Sequence, residues 1–363
     1  MIELASWLRR LCAIILGIVF FTAGVLKLVD PVGAGLVVRN YLSFFHLGFL
    51  SFGAKAFGFI FAYSECICGA ALLTGVFRKF FSIAVSALVG FFTVLTLILA
   101  IANPPMECGC FGEAIHLSNL QTFIKNLVLL GLCLAAFFPY KKAGVGRLRK
   151  VMAFGLVGCL TLWFGIWSLR NVPLVEFTDF AMGKEIVNED NGSDFNASFV
   201  YSKDGVERTF TLDNLPDSTW TFVGSRVESN MMPSRSSFDL GMPELLTGRY
   251  MLVDIYDPLA LRGDYFERLA AFKKASEDAG FTVLVLSDLD HKVMVTLSRS
   301  NGGVVRVEDG IITGKYVASK LPDVEQISRM TPESATEDMM AARRQGRIRL
   351  QMCAAIALLI MII

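Results

Sequence analysis

The chain has 363 residues, of which 54% are hydrophobic and 18% are charged, and its mean hydropathy is +0.54. This composition is too apolar for a soluble globular protein of that length. The 34 basic and 33 acidic residues leave a net charge of +1. There is no basic surplus of the kind that binds nucleic acid, so we expect no nucleic-acid partner.

Apolar runs dominate residues 1–170, whereas residues 171–349 have the composition of an ordinary soluble domain. Because about 20 apolar residues cross a bilayer as a helix, the runs predict five membrane spans. A final apolar run of 14 residues, Leu350 to Ile363, is short for a span unless its flanks reach the membrane surface. The predicted spans cover residues 8–29, 56–77, 80–102, 120–140 and 150–170.

Basic residues near the predicted spans indicate their orientation. Lysine and arginine precede the first span and separate the second from the third and the fourth from the fifth, whereas residues 103–119 contain neither. Since positively charged loops face the cytoplasm, residues 103–119 and the large polar domain should face the periplasm of a bacterial inner membrane. Four arginines between 343 and 349 then precede the final apolar run on the outer side, which is unfavourable for a span there.

An unusually aromatic segment, Pro31 to Ser51, lies between the first two spans and contains Tyr41, Phe44 and Phe45. Apolar positions with a few polar ones between them favour a helix or turn on the outer membrane surface. A re-entrant cover over the bundle is the alternative. His46 in this segment is expected to be an interfacial polar group, and the chain's three histidines are too scattered to predict a metal site.

The polar half of the chain divides into two patterns. Residues 172–248 show strand and turn signals, including a predicted hairpin with an Asp-Gly turn at 204–205. Beyond Arg249, a strand, a helix, a second strand and a hairpin follow in the order of the thioredoxin fold, which they resemble. The position of that fold's catalytic dithiol, Asp257 to Arg262, contains no cysteine. We therefore expect a degenerate thioredoxin-like domain that binds a partner.

Two cysteines one residue apart, Cys108 and Cys110, follow the third predicted span. A disulfide between them would close a very small ring, which Gly109 permits, and such a strained bridge is easily reduced. The sequence therefore indicates thiol–disulfide exchange at the outer membrane surface. Thiols that stay reduced, or that pair elsewhere, are the alternative. Residues 160–352 contain no cysteine, so the outer domain has no redox thiol of its own.

Glu65 is the only acidic residue inside the predicted spans, and Lys27 is a rare intramembrane base. Lys27 is near the outer end of the first span, and Glu65 lies about three turns into the second span from the same side. Charged groups at such depth are costly and are usually paired or functional. We expect an ion pair between them, which either stabilises the bundle or takes part in chemistry.

Two further cysteines, Cys66 and Cys68, follow Glu65 directly. On a helix they point about 200° apart, so they cannot easily bridge each other. One of them could exchange with Cys108 or Cys110, because both sites lie toward the outer leaflet. The alternative is that both are small packing residues.

The N-terminal half resembles the DoxX-like membrane proteins, and specifically their MauE (methylamine utilisation) branch. The resemblance covers about 140 residues and implies a four-helix membrane unit linked to redox maturation of exported proteins. In the MauE case, the implied client is a disulfide-rich dehydrogenase subunit. A fifth span and a cysteine-free outer domain depart from that pattern. The matching residues are Gly24-Val-Leu-Lys27-Leu-Val-Asp30-Pro31, Glu65, Gly75-Val-Phe-Arg78 and Cys108-Gly-Cys-Phe-Gly112.

The predicted architecture is a membrane α-helical bundle followed by an α/β outer domain. It comprises a DoxX/MauE-like four-helix membrane domain at 1–140, a cytoplasmic loop and fifth span at 141–171, a β-rich outer segment at 172–248, a degenerate thioredoxin-like domain at 249–345, and a C-terminal apolar helix at 346–363.

The predicted function is support of thiol–disulfide maturation, or of assembly, of exported proteins. The expected partners are an exported client or a periplasmic oxidoreductase, together with membrane lipid, and a quinone is the candidate electron acceptor. A non-enzymatic envelope scaffold is one alternative. A small-molecule transporter, with the two intramembrane charges lining a polar path, is another. The residues expected to carry the chemistry are Cys108, Cys110, Cys66, Cys68, Glu65 and Lys27.

Overall fold

A computed structural model provides the architecture of most of the chain. Within its described residues there are ten α-helices and eight β-strands. Helices predominate as far as residue 169, and two small sheets follow. The described residues are 2–104, 106, 109–115, 117–138, 147–186, 196–203, 206–211, 221–228, 247–261, 263–286 and 291–362.

In this part of the chain, five helical segments are long and apolar enough to cross a membrane. They overlap all five predicted spans, which confirms the number and approximate position of those spans. The segments are Ser6–Val29, Gly48–Thr74, Arg78–Ala102, Asn119–Phe137 and Leu148–Leu169. The second segment begins with a short 3-10 helix, Gly48–Gly53. The α-helices of the five segments are α1 (Ile2–Val29), α3 (Ala54–Thr74), α4 (Arg78–Ala102), α5 (Asn119–Phe137) and α6 (Leu148–Leu169).

A further helix, α2 (Pro31–Phe44), lies between the first two spans. Asp30 caps it, because the Oδ1 atom accepts a hydrogen bond of 2.9 Å from the Gly33 N–H. The first half of α2 is buried, and its backbone packs closely on α3, where a Cβ on Gly58 would lie 2.7 Å from the Gly35 nitrogen. The aromatic segment thus forms a helix that covers part of the bundle.

The domain that follows the bundle, called the outer domain after its predicted location, contains a four-stranded mixed sheet in the order β6–β5–β7–β8. β5 pairs in parallel with β6 and antiparallel with β7, and β7 pairs antiparallel with β8. Helix α7 (Gly263–Asp278) connects β5 to β6, and α8 (His291–Ser298) lies between β6 and β7. The strands are β5 (Arg249–Asp254), β6 (Thr282–Leu286), β7 (Gly303–Glu308) and β8 (Ile311–Tyr316).

Both faces of this sheet are covered, which explains why β5 reads as a continuous apolar run. Leu252 and Val305 join one core cluster, and Met251, Val253 and Val304 join the other.

A second, three-stranded antiparallel sheet precedes the mixed sheet in the sequence. Its order is β3–β2–β4. The predicted hairpin is confirmed, since Lys203 at the end of β2 pairs with Val206 at the start of β3. The strands are β2 (Asn196–Lys203), β3 (Val206–Thr211) and β4 (Thr221–Glu228), and a short strand, β1 (Cys110–Glu113), lies between α4 and α5.

Two predicted segment boundaries differ from the structure. The C-terminal helix α10 (Pro332–Ile362) begins well before the predicted start at residue 346. Its charged first half and its apolar second half form one continuous helix. Its apolar half packs against the bundle through Leu350 and Ala357. The predicted boundary at 248 also differs. Phe180 and Ile186 precede it, yet both are buried in the core of the mixed sheet.

Candidate functional site

Small residues bring α1 and α3 into close contact. A Cβ on Gly24 would lie 2.6 Å from the backbone nitrogen of Cys66, and a Cβ on Gly69 would overlap the backbone of Phe21. Only glycine allows two membrane helices to approach this closely. The contact places Lys27, one turn after Gly24 on α1, beside Glu65 on α3.

Lys27 and Glu65 form an ion pair, as the sequence predicted. The Lys27 Nζ donates hydrogen bonds of 2.7 Å and 2.5 Å to the two carboxylate oxygens of Glu65. The side chains are only 11% and 8% exposed. In such surroundings, removing one partner would leave an uncompensated buried charge. The role of the pair in chemistry stays a prediction.

The ion pair lies in the wall of a cavity of about 560 Å³ formed by α1, α2, α3, α4 and α5. Apolar side chains provide most of the lining. Several lining residues, among them Phe61, Phe91 and Val94, are exposed. The cavity is therefore open, and it lies between helices that are long and apolar enough to cross a membrane.

Cys110 lines the same cavity, because β1, which begins at Cys110, packs against α1 and α2. The Gly112 N–H donates a 3.1 Å hydrogen bond to the Gly109 carbonyl, and Gly112 adopts a φ of +63°, which favours glycine. A Cβ on Gly109 would lie 2.5 Å from a methyl carbon of Val37 on α2. Cys108 lies outside the described residues, as does its predicted pairing with Cys110.

Two polar residues of α5 complete the lining and were not singled out in the sequence. The Lys125 Nζ lies 5.0 Å from the centre of the Phe111 ring, in electrostatic range of the Glu65 carboxylate. The Asn126 amide donates to the Thr96 hydroxyl (3.1 Å), which links α5 to α4. The sequence could have indicated both residues, because they are polar and lie inside a predicted span.

Cys66 and Cys68 do not line the cavity. Cys66 is fully buried between α1 and α3, with its sulfur 3.9 Å from the Phe21 carbonyl oxygen. Cys68 packs in a separate apolar cluster with Leu16 and Val89. The structure thus brings Lys27, Glu65 and Cys110 together, leaves Cys66 and Cys68 outside this group, and among the described residues shows no cluster able to hold a metal ion.

A charged contact joins the outer domain to the bundle, since the Arg299 Nη2 lies 2.8 Å from Asp30 Oδ2. A second pair lies within the part of the chain that follows the bundle: the Lys315 Nζ is 3.0 Å from Glu176 Oε1, and both side chains are almost fully buried. Burial lowers the pKa of Lys315 below its usual value, while Glu176 opposes that shift. Beside these pairs, Val295 of α8 packs against α2.

The fold and the cavity define a multi-pass membrane-type protein. Residues 5–139 match the family model of the methylamine utilisation protein MauE, so the chain contains a MauE family domain that includes α2 to α5 and most of α1. The MauE part of the predicted resemblance is therefore confirmed. Residues 195–228, which hold β2 to β4, match a model described as a domain of unknown function (DUF8463). No curated protein and no solved structure matches the chain.

Proposed function

We propose that this protein is a membrane component of thiol–disulfide maturation of exported proteins, with Cys108 and Cys110 as the exchanging pair. The observation that carries the proposal is the presence of Cys110 in the wall of the cavity that holds the Lys27–Glu65 ion pair. An ionisable pair, a thiol and an apolar cavity at one membrane site are the parts that redox chemistry between a polar client and the membrane requires.

The proposed reaction begins with Cys108 and Cys110 joined as a disulfide. A client thiolate attacks one sulfur and forms a mixed disulfide, and the other cysteine leaves as a thiolate. The second client thiol then resolves the mixed disulfide, so that the client gains one disulfide and the membrane protein holds two reduced cysteines. Lys27 and Lys125 line the same cavity as Cys110, and such cations can stabilise the thiolates that exchange releases.

In this proposal the outer domain binds the client or a partner oxidoreductase. Its succession β5–α7–β6–α8–β7–β8 and its sheet order support a thioredoxin-like fold. The loop after β5 contains Leu259, which is 97% exposed, in place of a cysteine. An exposed apolar side chain at that position suits binding.

We also propose that the chain is related to the DoxX-like membrane proteins and that it lies in a bacterial inner membrane. The small-residue contact of α1 with α3 and the string that ends at Gly112 support the DoxX-like relationship. The distribution of lysine and arginine between the loops supports a bacterial inner membrane, with the outer domain in the periplasm.

Trapping of thiols in intact membranes tests the proposal. A membrane-impermeant maleimide should label Cys108 and Cys110 only after mild reduction, and a reduced client should make them reactive without added reductant. Cys159, which is exposed on α6, supplies a control in the variant Cys159→Ser. Cysteines that stay reduced while the protein supports its client would contradict the proposal.

A non-enzymatic scaffold is the second candidate function. The buried Asp30–Arg299 pair favours it, because it fixes the outer domain to the bundle as a scaffold requires. In that case, replacing both Cys108 and Cys110 with serine would leave the assembly of the partner complex unchanged.

A further inference from the structure

We infer that the cavity among α1 to α5 binds the ring of a lipid-soluble quinone that reoxidises the Cys108–Cys110 pair, an inference that rests on the proposed function. Each client disulfide leaves two reduced cysteines, so repeated turnover needs a two-electron acceptor. The cavity offers a place for such an acceptor within reach of Cys110.

The shape and lining of the cavity indicate a ligand that comes from the bilayer. Its volume of about 560 Å³ is of the size that holds a small organic ligand. Phe91 and Val94 of α4 and Phe61 of α3 line it and are exposed, so the cavity is open between apolar helices. A ligand with a ring inside the cavity and an apolar tail between the helices would suit this lining.

The polar groups of the cavity favour a ligand with hydrogen-bond acceptors such as carbonyl oxygens. Glu65 neutralises Lys27, and Lys125 adds a second ammonium group to the wall, so an organic cation would be repelled whereas a carbonyl oxygen can accept a hydrogen bond. An ammonium group has three N–H donors, of which Lys27 uses two on Glu65. Among the described residues the third N–H has no acceptor, so it can donate to a carbonyl oxygen.

The aromatic lining favours a flat ring. Eight aromatic residues line the cavity, among them Phe20, Tyr41, Phe57 and Phe111. Aromatic side chains pack well against planar conjugated ligands. A quinone combines this flatness with two carbonyl oxygens, no net charge and solubility in lipid.

The proposed step balances with a quinone as the oxidant. The thiols of Cys108 and Cys110 together lose two electrons and two protons, and one S–S bond forms between them. The quinone takes up two electrons and two protons and becomes the hydroquinone. The Glu65 carboxylate and the Lys27 ammonium, in the same wall as Cys110, are groups through which the protons can pass.

Binding and reoxidation are tested separately on the full-length protein in quinone-free lipid nanodiscs. Decylubiquinone should bind saturably, and it should bind equally well to the Cys108→Ser/Cys110→Ser variant. In Leu95→Trp, which fills the cavity from α4, affinity should fall at least tenfold. Leu97→Trp, two residues along the same helix and exposed outside the cavity lining, is the matched control and should bind as the parent protein does.

Reoxidation is followed by thiol trapping of the reduced parent protein after decylubiquinone is added. It should be fast in the parent protein and in Leu97→Trp, and slow in Leu95→Trp. Absence of saturable binding, equal binding to Leu95→Trp, binding without reoxidation, or displacement by palmitate at equal concentration would each overturn the inference. The proposed function is distinguished by a single turnover, because the preformed disulfide should still oxidise a reduced client when no quinone is present.

Discussion

Asp30 and Arg299 join the membrane bundle to the outer domain through an ion pair whose side chains are 14% and 2% exposed. The other oxygen of the Asp30 carboxylate caps helix α2. Helix α2 lines the cavity, and its Val37 packs against Gly109, the neighbour of Cys110. Docking of the outer domain and the position of Cys110 therefore depend on one carboxylate.

The first prediction concerns this ion pair. Asp30→Asn should destabilise the docked state by about 3–5 kcal/mol, because it removes the carboxylate that balances the buried Arg299 charge. Hydrogen exchange of the amides in α2 and α8 should accelerate, and so should alkylation of Cys110. Arg329→Gln removes an exposed pair with Glu325 and should change stability by less than about 1 kcal/mol. If Asp30→Asn and Arg329→Gln had equal effects, the Asp30–Arg299 pair would not couple the bundle to the outer domain.

The second prediction concerns the intramembrane pair. Lys27→Met and Glu65→Gln should each lower the thermal stability of the purified protein and slow the oxidation of an exported disulfide protein. The combined variant should be less impaired than the sum, since neither residue then remains as an unpaired charge. Glu325→Gln, at an exposed position of the outer domain, is the control. Additive losses would mean that the two side chains act independently.

The third prediction concerns the close contact of α1 with α3. Gly24→Ala should lower the melting temperature and separate Lys27 from Glu65, because the added Cβ would lie 2.6 Å from Cys66. Gly90→Ala in α4 is a matched control, since no atom lies within 4 Å of its added Cβ. That substitution should stabilise the helix by up to about 1 kcal/mol. A stable Gly24→Ala protein would contradict the packing.

The fourth prediction concerns Asp254, which ends β5 and is fully buried. Burial raises its pKa from 3.8 to about 7, although the Ser298 hydroxyl donates to it at 2.7 Å and partly opposes the rise. Between these two pH values the folded state holds a proton that the unfolded state has lost. The outer domain should therefore lose stability as pH rises from about 4 to 7 and stay level above 7.

Hydrogen exchange of the β5 amides in the full-length protein measures this dependence. Asp254→Asn should remove most of the slope and should protect β5 better than the parent protein at pH 8, because no buried charge then forms. Asp264→Asn, on the exposed side of α7, should keep the slope. A profile that is flat in the parent protein would contradict the buried, protonated carboxyl.

Local patterns in the sequence predicted the spans, the hairpins and the βαβ unit, because those elements depend on nearby residues. The Lys27–Glu65 pair could also be predicted, since few polar residues lie in the apolar runs and both lie toward one side. The ion pair of Asp30 with Arg299 could not, because its partners lie far apart in sequence and each is ordinary in its surroundings.

The cavity and the direction of the Cys66 thiol depend on how the helices are rotated against one another. That rotation is set by contacts such as Gly24 with Cys66 and Gly69 with Phe21, which no single helix determines. The spacing of small residues in the first two spans was the signal that could have placed Cys66 in the helix contact. The continuity of α10 was missed because hydropathy detects only its apolar half.

The last prediction concerns the two cysteines of the proposed exchange. Cys108→Ser and Cys110→Ser should impair the oxidation of an exported disulfide protein to a similar extent, and the double variant should be little worse than either. Two thiols that form one disulfide act as a unit, so losing either one ends the exchange. Cys159→Ser, at an exposed position of α6 away from the cavity lining, should be nearly silent. Full activity in the double serine variant would remove thiol exchange from this protein and leave the scaffold as its function.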